Sequence, residues 1–482
     1  MTEDKKVSVN YQITIIGVLF FIFGFITWAN GTLIPYLKIA CELTSTQSYY
    51  VASAFFAAYF IMAIPSSIIL KKTGFKNGMS LGLLVMAIGA LLFIPAAQTR
   101  TYNLFLLGLF IIGTGLALLQ TAANPFVTVL GPIESAAQRI SIMGICNKIA
   151  GICAIYVLGS IALKDADGIK AKLLTLNAAD KAIELNNLAA RVIKPYTFLA
   201  IALAVLAVAI YFVNMPEVKE EETNETLNAN ISAVQINYLL PLLFVVLVCS
   251  ILYFFFNISQ GSNSYLPYIF IFSLILIIIL VIFFKKNHSI ENRSTIFDFS
   301  HLILGAFAIF FYVGVEVISY DTFAGFGEHL GFSLDTAKNF ATFTGYSLLA
   351  GYIFNIVFIP KYISQQKAMF GLTILSMILV IAAVLTKGKV AVICFMLLGF
   401  SNAVMWPAIW PLAIDGLGKF TKIGSALLIM GIVGGAILPP LYGKISTLIG
   451  NPQTAYLMMI PAYLYILYYA MAGHKVGREK TI

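Results

Sequence analysis

The sequence predicts an all-α membrane protein with fourteen transmembrane helices, arranged as two parallel six-helix halves with two extra helices between them. The first observation is composition: 60% of the 482 residues are hydrophobic and 11% are charged, whereas soluble domains carry about 25% charged residues. The second is a series of apolar runs of roughly 20 residues, the length that crosses a bilayer. The third is an internal repeat. The composition already excludes a cytosolic enzyme, a disordered protein and a disulfide-stapled secreted domain.

The apolar runs fall into three groups along the chain. The first half has six, at residues 13–37, 48–70, 78–97, 104–130, 140–163 and 197–213. An insert has two, at 238–256 and 265–284. The second half has six, at 299–323, 340–359, 369–385, 390–414, 424–441 and 454–472. The predicted parts are therefore 1–214, 215–297 and 298–482. Within them, 215–237 reads as a charged cytoplasmic linker and 164–194 as an outer loop with room for a short amphipathic helix.

The basic residues predict the orientation. The formal net charge is +9, and most Lys and Arg residues of the short loops fall on the side that carries the N-terminus. The positive-inside rule therefore places both termini in the cytoplasm, as in a multi-pass protein of a bacterial inner membrane. Because topology explains the charge, the expected partners are the lipid bilayer and a small molecule, without nucleic acid, and the chain is expected to be a monomer. The five cysteines show no zinc-type spacing, so neither a metal nor a cofactor is predicted.

The internal repeat relates the two halves. Its matches occur in the same order and orientation in both halves. The first is FFxxG, at 20–24 and 310–314, after which Gly31 corresponds to Asp321. The second pairs Gln120 with Trp406 and Asn124 with Trp410, and the third is IMGI, at 142–145 and 429–432. Ordered parallel matches predict two six-helix halves related by an axis along the membrane normal, which is the major facilitator architecture.

Polar residues inside the predicted spans are the functional candidates, because an ionisable group at the bilayer centre costs about 2.5–3.5 kcal/mol on insertion scales. Amide side chains offer paired donors and acceptors to sugar hydroxyls, and an aromatic ring offers a platform for the apolar face of a pyranose. The candidates for substrate binding are Asn30, Gln120, Asn124, Asn147, Lys148, Asn402, Trp406 and Trp410. The candidates for ion coupling are Glu316 and Asp321.

Several of these residues have alternative interpretations. Lys148 can be a hydrogen-bond donor to substrate, an ion-pair partner of Glu316 or Asp321, or a structural residue that reaches backbone carbonyls. Trp406 can pack against lipid or core, although its match with Gln120 favours a central cavity. Asp321 can simply cap the outer end of its helix.

Two segments resemble the fucose permease branch of the major facilitator superfamily, which includes bacterial L-fucose–proton symporters and glucose/galactose transporters. They are FFIFGFITWANGTLIPYLKIACELT (20–44) and TAANPFVTVLGP (121–132), and Arg139 and Asn147 match as well. The resemblance covers both six-helix halves and leaves out the insert. It implies alternating access, with a sugar bound between the halves.

The resemblance also implies proton coupling through an aspartate in the first span and a glutamate in the fourth. This chain carries Gly31 and Gln120 at those positions, and neither can titrate. Because Asp321 matches Gly31 in the repeat, the coupling carboxylate is expected in the second half, as Asp321 or Glu316, with Lys148 as a candidate countercharge. Such a carboxylate can exchange a proton or bind Na⁺, and the sequence leaves the ion open.

These observations predict secondary active transport of a neutral monosaccharide, with glucose and galactose foremost, by cation symport. Apart from Lys148, the cavity spans lack the basic clusters that a phosphorylated sugar would need. The alternatives within transport are a fucose or N-acetylglucosamine permease and an uncoupled facilitator. A membrane-bound enzyme would need His, Asp or Glu clustered at a membrane interface, and a sensor would need a large cytoplasmic domain; the sequence indicates neither.

Overall fold

The computed structural model describes residues 9–129, 136–213, 296, 299–359, 361–417 and 420–477. Within these ranges the chain is built from helices joined by short turns. Helices follow from the composition. A segment that crosses a bilayer must have its backbone N–H and C=O groups paired within the protein, and apart from closed β-barrels only helices achieve this.

The first half contains ten described helices. They are α1 Val9–Trp28, α2 Asn30–Ala40, α3 Ser45–Ser48, α4 Tyr50–Leu91, α5 Phe93–Thr99, α6 Tyr102–Val129, α7 Ala136–Ala162, α8 Ala166–Thr175, α9 Ala178–Ala190 and α10 Ile193–Phe212. The predicted outer loop 164–194 thus contains two short helices, α8 and α9, where one was expected.

The second half contains eleven described α-helices. They are α11 Ser300–Asp321, α12 Phe323–His329, α13 Leu334–Ala337, α14 Phe340–Phe358, α15 Gln365–Leu385, α16 Gly388–Asn402, α17 Met405–Ile414, α18 Thr421–Gly431, α19 Gly434–Ile449, α20 Pro452–Ala455 and α21 Met459–Met471. Two short 3₁₀ turns, Tyr456–Met458 and Gly473–Lys475, complete the set.

Twelve segments of the described helices are long and apolar enough to cross a membrane, six in each half. They coincide with the six-plus-six arrangement that the sequence predicts. The count of fourteen is not confirmed, because the runs 238–256 and 265–284 lie outside the described residues. Two spans, Ser45–Leu70 and Lys72–Thr99, meet within α4. The helix bends at Gly74, near the start of the second span, and its φ of 75° is a conformation that glycine adopts without strain.

Helices α1 and α7 pack closely against each other within the first half. A Cβ atom added to Gly24 would overlap the backbone of Asn147, so only glycine lets the two helices pack this closely. The contact sets Trp28, at the end of α1, beside Asn147 and Lys148 on α7. One glycine therefore determines how three polar or aromatic side chains meet.

Polar contacts join the two halves at the end of the bundle that carries α8 and α9, which is the predicted outer end. We call residues 163–170 and 328–338 the outer clasp. Both carboxylate oxygens of Asp167 accept backbone N–H groups at the start of α13, from Leu334 at 3.2 Å and Asp335 at 2.9 Å. Lys170 forms an ion pair with Glu328. Lys338 Nζ donates to the Leu163 carbonyl at 2.8 Å. These contacts hold the two halves together at that end.

Candidate functional site

A central cavity of about 130 Å³ lies between the two halves. On the same measure a single water needs about 10–15 Å³, so the space holds far more than one small molecule of solvent. Its lining comes from both halves and includes Phe23, Thr27 and Gln120 on one side and Val313, Val317 and Trp406 on the other. It reaches Val127 and Ile140, which lie near the predicted inner ends of their helices. The cavity lining therefore extends toward the predicted inner end, and the outer clasp joins the halves at the opposite end.

A buried ion pair joins the halves in this cavity. Lys148 Nζ lies 2.9 Å from Glu316 Oε1, and the two residues are 6% and 7% exposed. The ammonium group also lies 4.1 Å from the centroid of the Trp28 ring, in a cation–π contact. Of the interpretations that the sequence left open for Lys148, the structure shows the ion pair with Glu316.

Two amide side chains line the cavity and are held by neighbours. Asn147 Oδ1 accepts the Trp28 indole N–H at 3.3 Å, and its Nδ2 donates to the Phe20 carbonyl at 3.4 Å. Gln120 Nε2 donates to the Tyr59 hydroxyl at 3.1 Å. Each amide is thus oriented in the cavity wall, and the hydrogen-bonding capacity that remains is available to a ligand.

Aromatic rings form a large part of the wall. Trp406 and Trp410 stack with centroids 5.4 Å apart, and Tyr312 lies 6.3 Å from Trp406. On the side of the first half, Trp28 packs against Tyr320 at 3.8 Å between centroids. The chain has three tryptophans, and all three line the cavity. Amides and an ion pair between aromatic surfaces give the site the mixed character that a polyhydroxyl ligand requires.

Repeat-equivalent positions face the same cavity from opposite halves. The pairs are Phe23 with Val313, Thr27 with Val317, and Gln120 with Trp406, and every member lines the cavity. The register read from the sequence therefore corresponds to a spatial relation between the halves, with the cavity between them.

Four candidates are not part of the described cavity lining. Asn30 and Asp321 are 1% and 4% exposed and lie outside it. Asn402, also outside it, faces the packing of the second half, where its Oδ1 accepts from Tyr463 at 3.0 Å. Its place among the substrate ligands stays a prediction, although the structure buries its side chain in the packing of the second half. The side chain of Asn124 lies outside the described residues.

Sequence reasoning missed several aromatic wall residues. Trp28, Tyr59, Tyr312 and Tyr352 all line the cavity. Tyr312 lies inside the FFxxG repeat element and so had a signal, since the repeat marks residues near the central axis. The others occur singly among apolar residues, where lipid or core packing is the ordinary interpretation.

Residues 16–439 match the Major Facilitator Superfamily. The chain belongs to this superfamily. The match begins in α1 and ends within α19, so it covers the first half, the segment between the halves and most of the second half.

Named relatives share nearly the whole length of the chain. A glucose/galactose transporter of Brucella abortus is 32% identical over 98% of this chain and 96% of its own. An L-fucose-proton symporter of Escherichia coli is 27% identical over 94% of this chain and 90% of its own. The crystal structure of the transporter FucP in the outward conformation matches with a TM-score of 0.67 and 26% identity, covering 95% of this chain and 97% of that one. The resemblance to the fucose permease branch is thereby confirmed.

Proposed function

We propose that this protein transports a neutral monosaccharide, glucose or galactose foremost, across the membrane together with a cation. The observation that carries the proposal is the central cavity, in which oriented amides, an ion pair and stacked indoles from both halves surround one space. The names of the relatives, a glucose/galactose transporter and an L-fucose-proton symporter, agree with this chemistry.

The wall matches an uncharged polyhydroxyl ligand in detail. Gln120 and Asn147 offer amide groups to hydroxyls, and Trp406 offers its face to the C–H groups of a sugar ring. The cation in the wall, Lys148, is neutralised by Glu316 at 2.9 Å. Because no net positive charge remains at this pair, the site favours a neutral sugar over a phosphorylated one. Fucose and N-acetylglucosamine are the alternative substrates.

Transport by alternating access requires the cavity to open to either side in turn. In this structure the outer clasp joins the halves at the predicted outer end, whereas the FucP structure of the same fold is in the outward conformation. We infer that this chain also reaches an outward conformation, and that the clasp contacts break when it does. Each break exchanges surface polar contacts for contacts with water, which keeps the two conformations close in free energy.

We infer two further spans at 238–256 and 265–284, both termini on the cytoplasmic side, a bacterial inner membrane and a monomeric transporter without enzymatic activity. The basic residues of the short loops support the orientation. An even number of inserted spans leaves the second half in the orientation that the parallel repeat requires.

Intrinsic fluorescence provides a direct test of sugar binding, because every tryptophan of the chain lines the cavity. D-glucose or D-galactose should change the emission of the purified protein saturably, and L-glucose and glucose 6-phosphate should not. Gln120→Leu should weaken the response while the protein stays folded. Labelled-sugar counterflow in proteoliposomes then separates transport from binding. A protein that neither responds to nor exchanges glucose, galactose, fucose or N-acetylglucosamine would contradict the proposal.

A further inference from the structure

The two candidate coupling carboxylates differ in their surroundings. Glu316 lies in the cavity wall with its charge matched by Lys148 at 2.9 Å. Asp321, five residues further along α11, is 4% exposed, and its Oδ2 atom has no hydrogen-bond partner among the described residues. A buried carboxylate without a partner is costly unless something neutralises it. Asp321 is thus the carboxylate that lacks a neutralising group.

The first half covers Asp321 at one specific point. A Cβ atom added to Gly31 would lie 3.5 Å from Asp321 Oδ1, so these two repeat-equivalent positions face each other across the boundary between the halves. Asn30, next to Gly31, is 1% exposed, and neither atom of its amide has a described partner. The boundary therefore contains space and unsatisfied polar atoms at the position where the repeat brings the halves together.

Asp321 is linked to the cavity through aromatic contacts. Tyr320, the preceding residue, packs on Trp28, and Trp28 in turn contacts Lys148. On the outer side, the Tyr49 phenol lies within electrostatic range of Asp321. Tyr456 and Glu328 lie within range of Tyr49. No cationic side chain is among these described neighbours of Asp321.

We propose that Asp321 is the coupling site, and that it takes up one monovalent cation, H⁺ or Na⁺, from the side to which it is exposed. The inference rests on the proposed function and deepens it by assigning the ion to Asp321 and the cavity charge pair to the sugar.

Coupling follows from the cost of burying a charge. Closure of the outer end brings Gly31 over Asp321 and removes the carboxylate from water. A bare carboxylate disfavours that closure, and a bound proton or Na⁺ removes the penalty. Closure is then favoured only for the ion-loaded protein, and opening on the other side lets the cation leave with the sugar. Gly31 places no side chain over the carboxylate, and a Cβ there would only touch Asp321 Oδ1, at 3.5 Å.

The test separates accumulation from exchange in proteoliposomes. The unmodified protein should accumulate labelled glucose or galactose under a tenfold H⁺ or Na⁺ gradient, up to about tenfold for one ion per sugar. Asp321→Asn should reduce that ratio to about one while sugar counterflow without a gradient continues. The two gradient arms identify the ion. Ser319→Ala is the matched control and should accumulate normally. Ser319 is also buried on α11, and its hydrogen bond among the described residues stays within that helix, to the Glu316 carbonyl at 2.7 Å.

A reciprocal exchange tests the geometry. In the double variant Gly31→Asp with Asp321→Gly, the carboxylate enters the same space from the opposite half, and gradient-driven accumulation should return above that of Asp321→Asn. Glu316→Gln should instead impair counterflow itself, because it leaves Lys148 unpaired in the cavity wall. Accumulation by Asp321→Asn, or an equal loss of its exchange and accumulation, would overturn the inference alone. Absence of sugar exchange by the unmodified protein would overturn the proposed function as well.

Discussion

Removal of either partner of the Lys148–Glu316 pair should destabilise the protein strongly. At 2.9 Å and an effective dielectric constant of about 20, the Coulomb attraction between two unit charges is roughly 6 kcal/mol. Desolvation offsets much of this attraction while both charges are present. When one partner is removed, the other stays buried without compensation, and such changes cost about 3–5 kcal/mol. Lys148→Met and Glu316→Gln should each lower the free energy of unfolding by that amount.

The double variant is the sharper part of this prediction. Lys148→Met with Glu316→Gln leaves no buried charge, so its stability should equal or exceed that of either single variant. Unfolding by titration with sodium dodecyl sulfate in mixed micelles measures the three differences. Ser160→Ala, on the exposed surface of the same helix as Lys148, should stay within about 0.5 kcal/mol of the unmodified protein. Additive losses in the double variant would refute the assignment of a coupled buried pair.

Three further predictions address packing, conformation and binding. Gly24→Ala should lower the free energy of unfolding by about 1–3 kcal/mol in the same titration, because the added Cβ meets the Asn147 backbone. Gly159→Ala, with open space around it, should not lower it. Equal effects of the two substitutions would contradict the close approach of α1 and α7. Asp167→Asn should weaken the outer clasp by about 1 kcal/mol, which corresponds to a fivefold shift of the population toward the outward conformation. Distances between spin labels at the outer ends of the two halves measure this shift, and unchanged distances would count against the clasp. Trp406→Ala should raise the Kd for sugar about fivefold, because it removes the ring that stacks on the sugar. Trp406→Phe keeps an aromatic ring and should retain most of the affinity. Equal Kd values for the two variants would argue against stacking.

The architecture could be predicted from the sequence, because a bilayer restricts the spanning segments of an α-helical protein to apolar helices of about 20 residues. Length and apolarity located the twelve described spans, and the FFxxG and IMGI elements related the halves. The same register predicted that Gln120 and Trp406 face one cavity. It also paired Gly31 with Asp321, which the structure brings together. Repeat register is therefore informative about position near the central axis, even without knowledge of a ligand.

Sequence spacing was insufficient where contacts depend on the tertiary arrangement. Lys148 had two carboxylates within plausible reach, and only the packing of α7 against the second half selects Glu316, 168 residues away. Asn402 shares helical spacing with Trp406, yet its Oδ1 accepts from Tyr463 and it lies outside the described cavity lining. Trp28 gave no pattern at all, because its role depends on Lys148 and Tyr320 from other helices.

Gradient-driven sugar uptake by the purified protein in proteoliposomes tests cation symport most directly. Labelled glucose or galactose is supplied outside, with an inward H⁺ gradient, an inward Na⁺ gradient or no gradient. The proposed mechanism predicts accumulation above the external concentration under one of the two gradients, and its collapse when an ionophore dissipates that gradient. Uptake that stops at equal concentrations under every condition would contradict symport and identify an uncoupled facilitator.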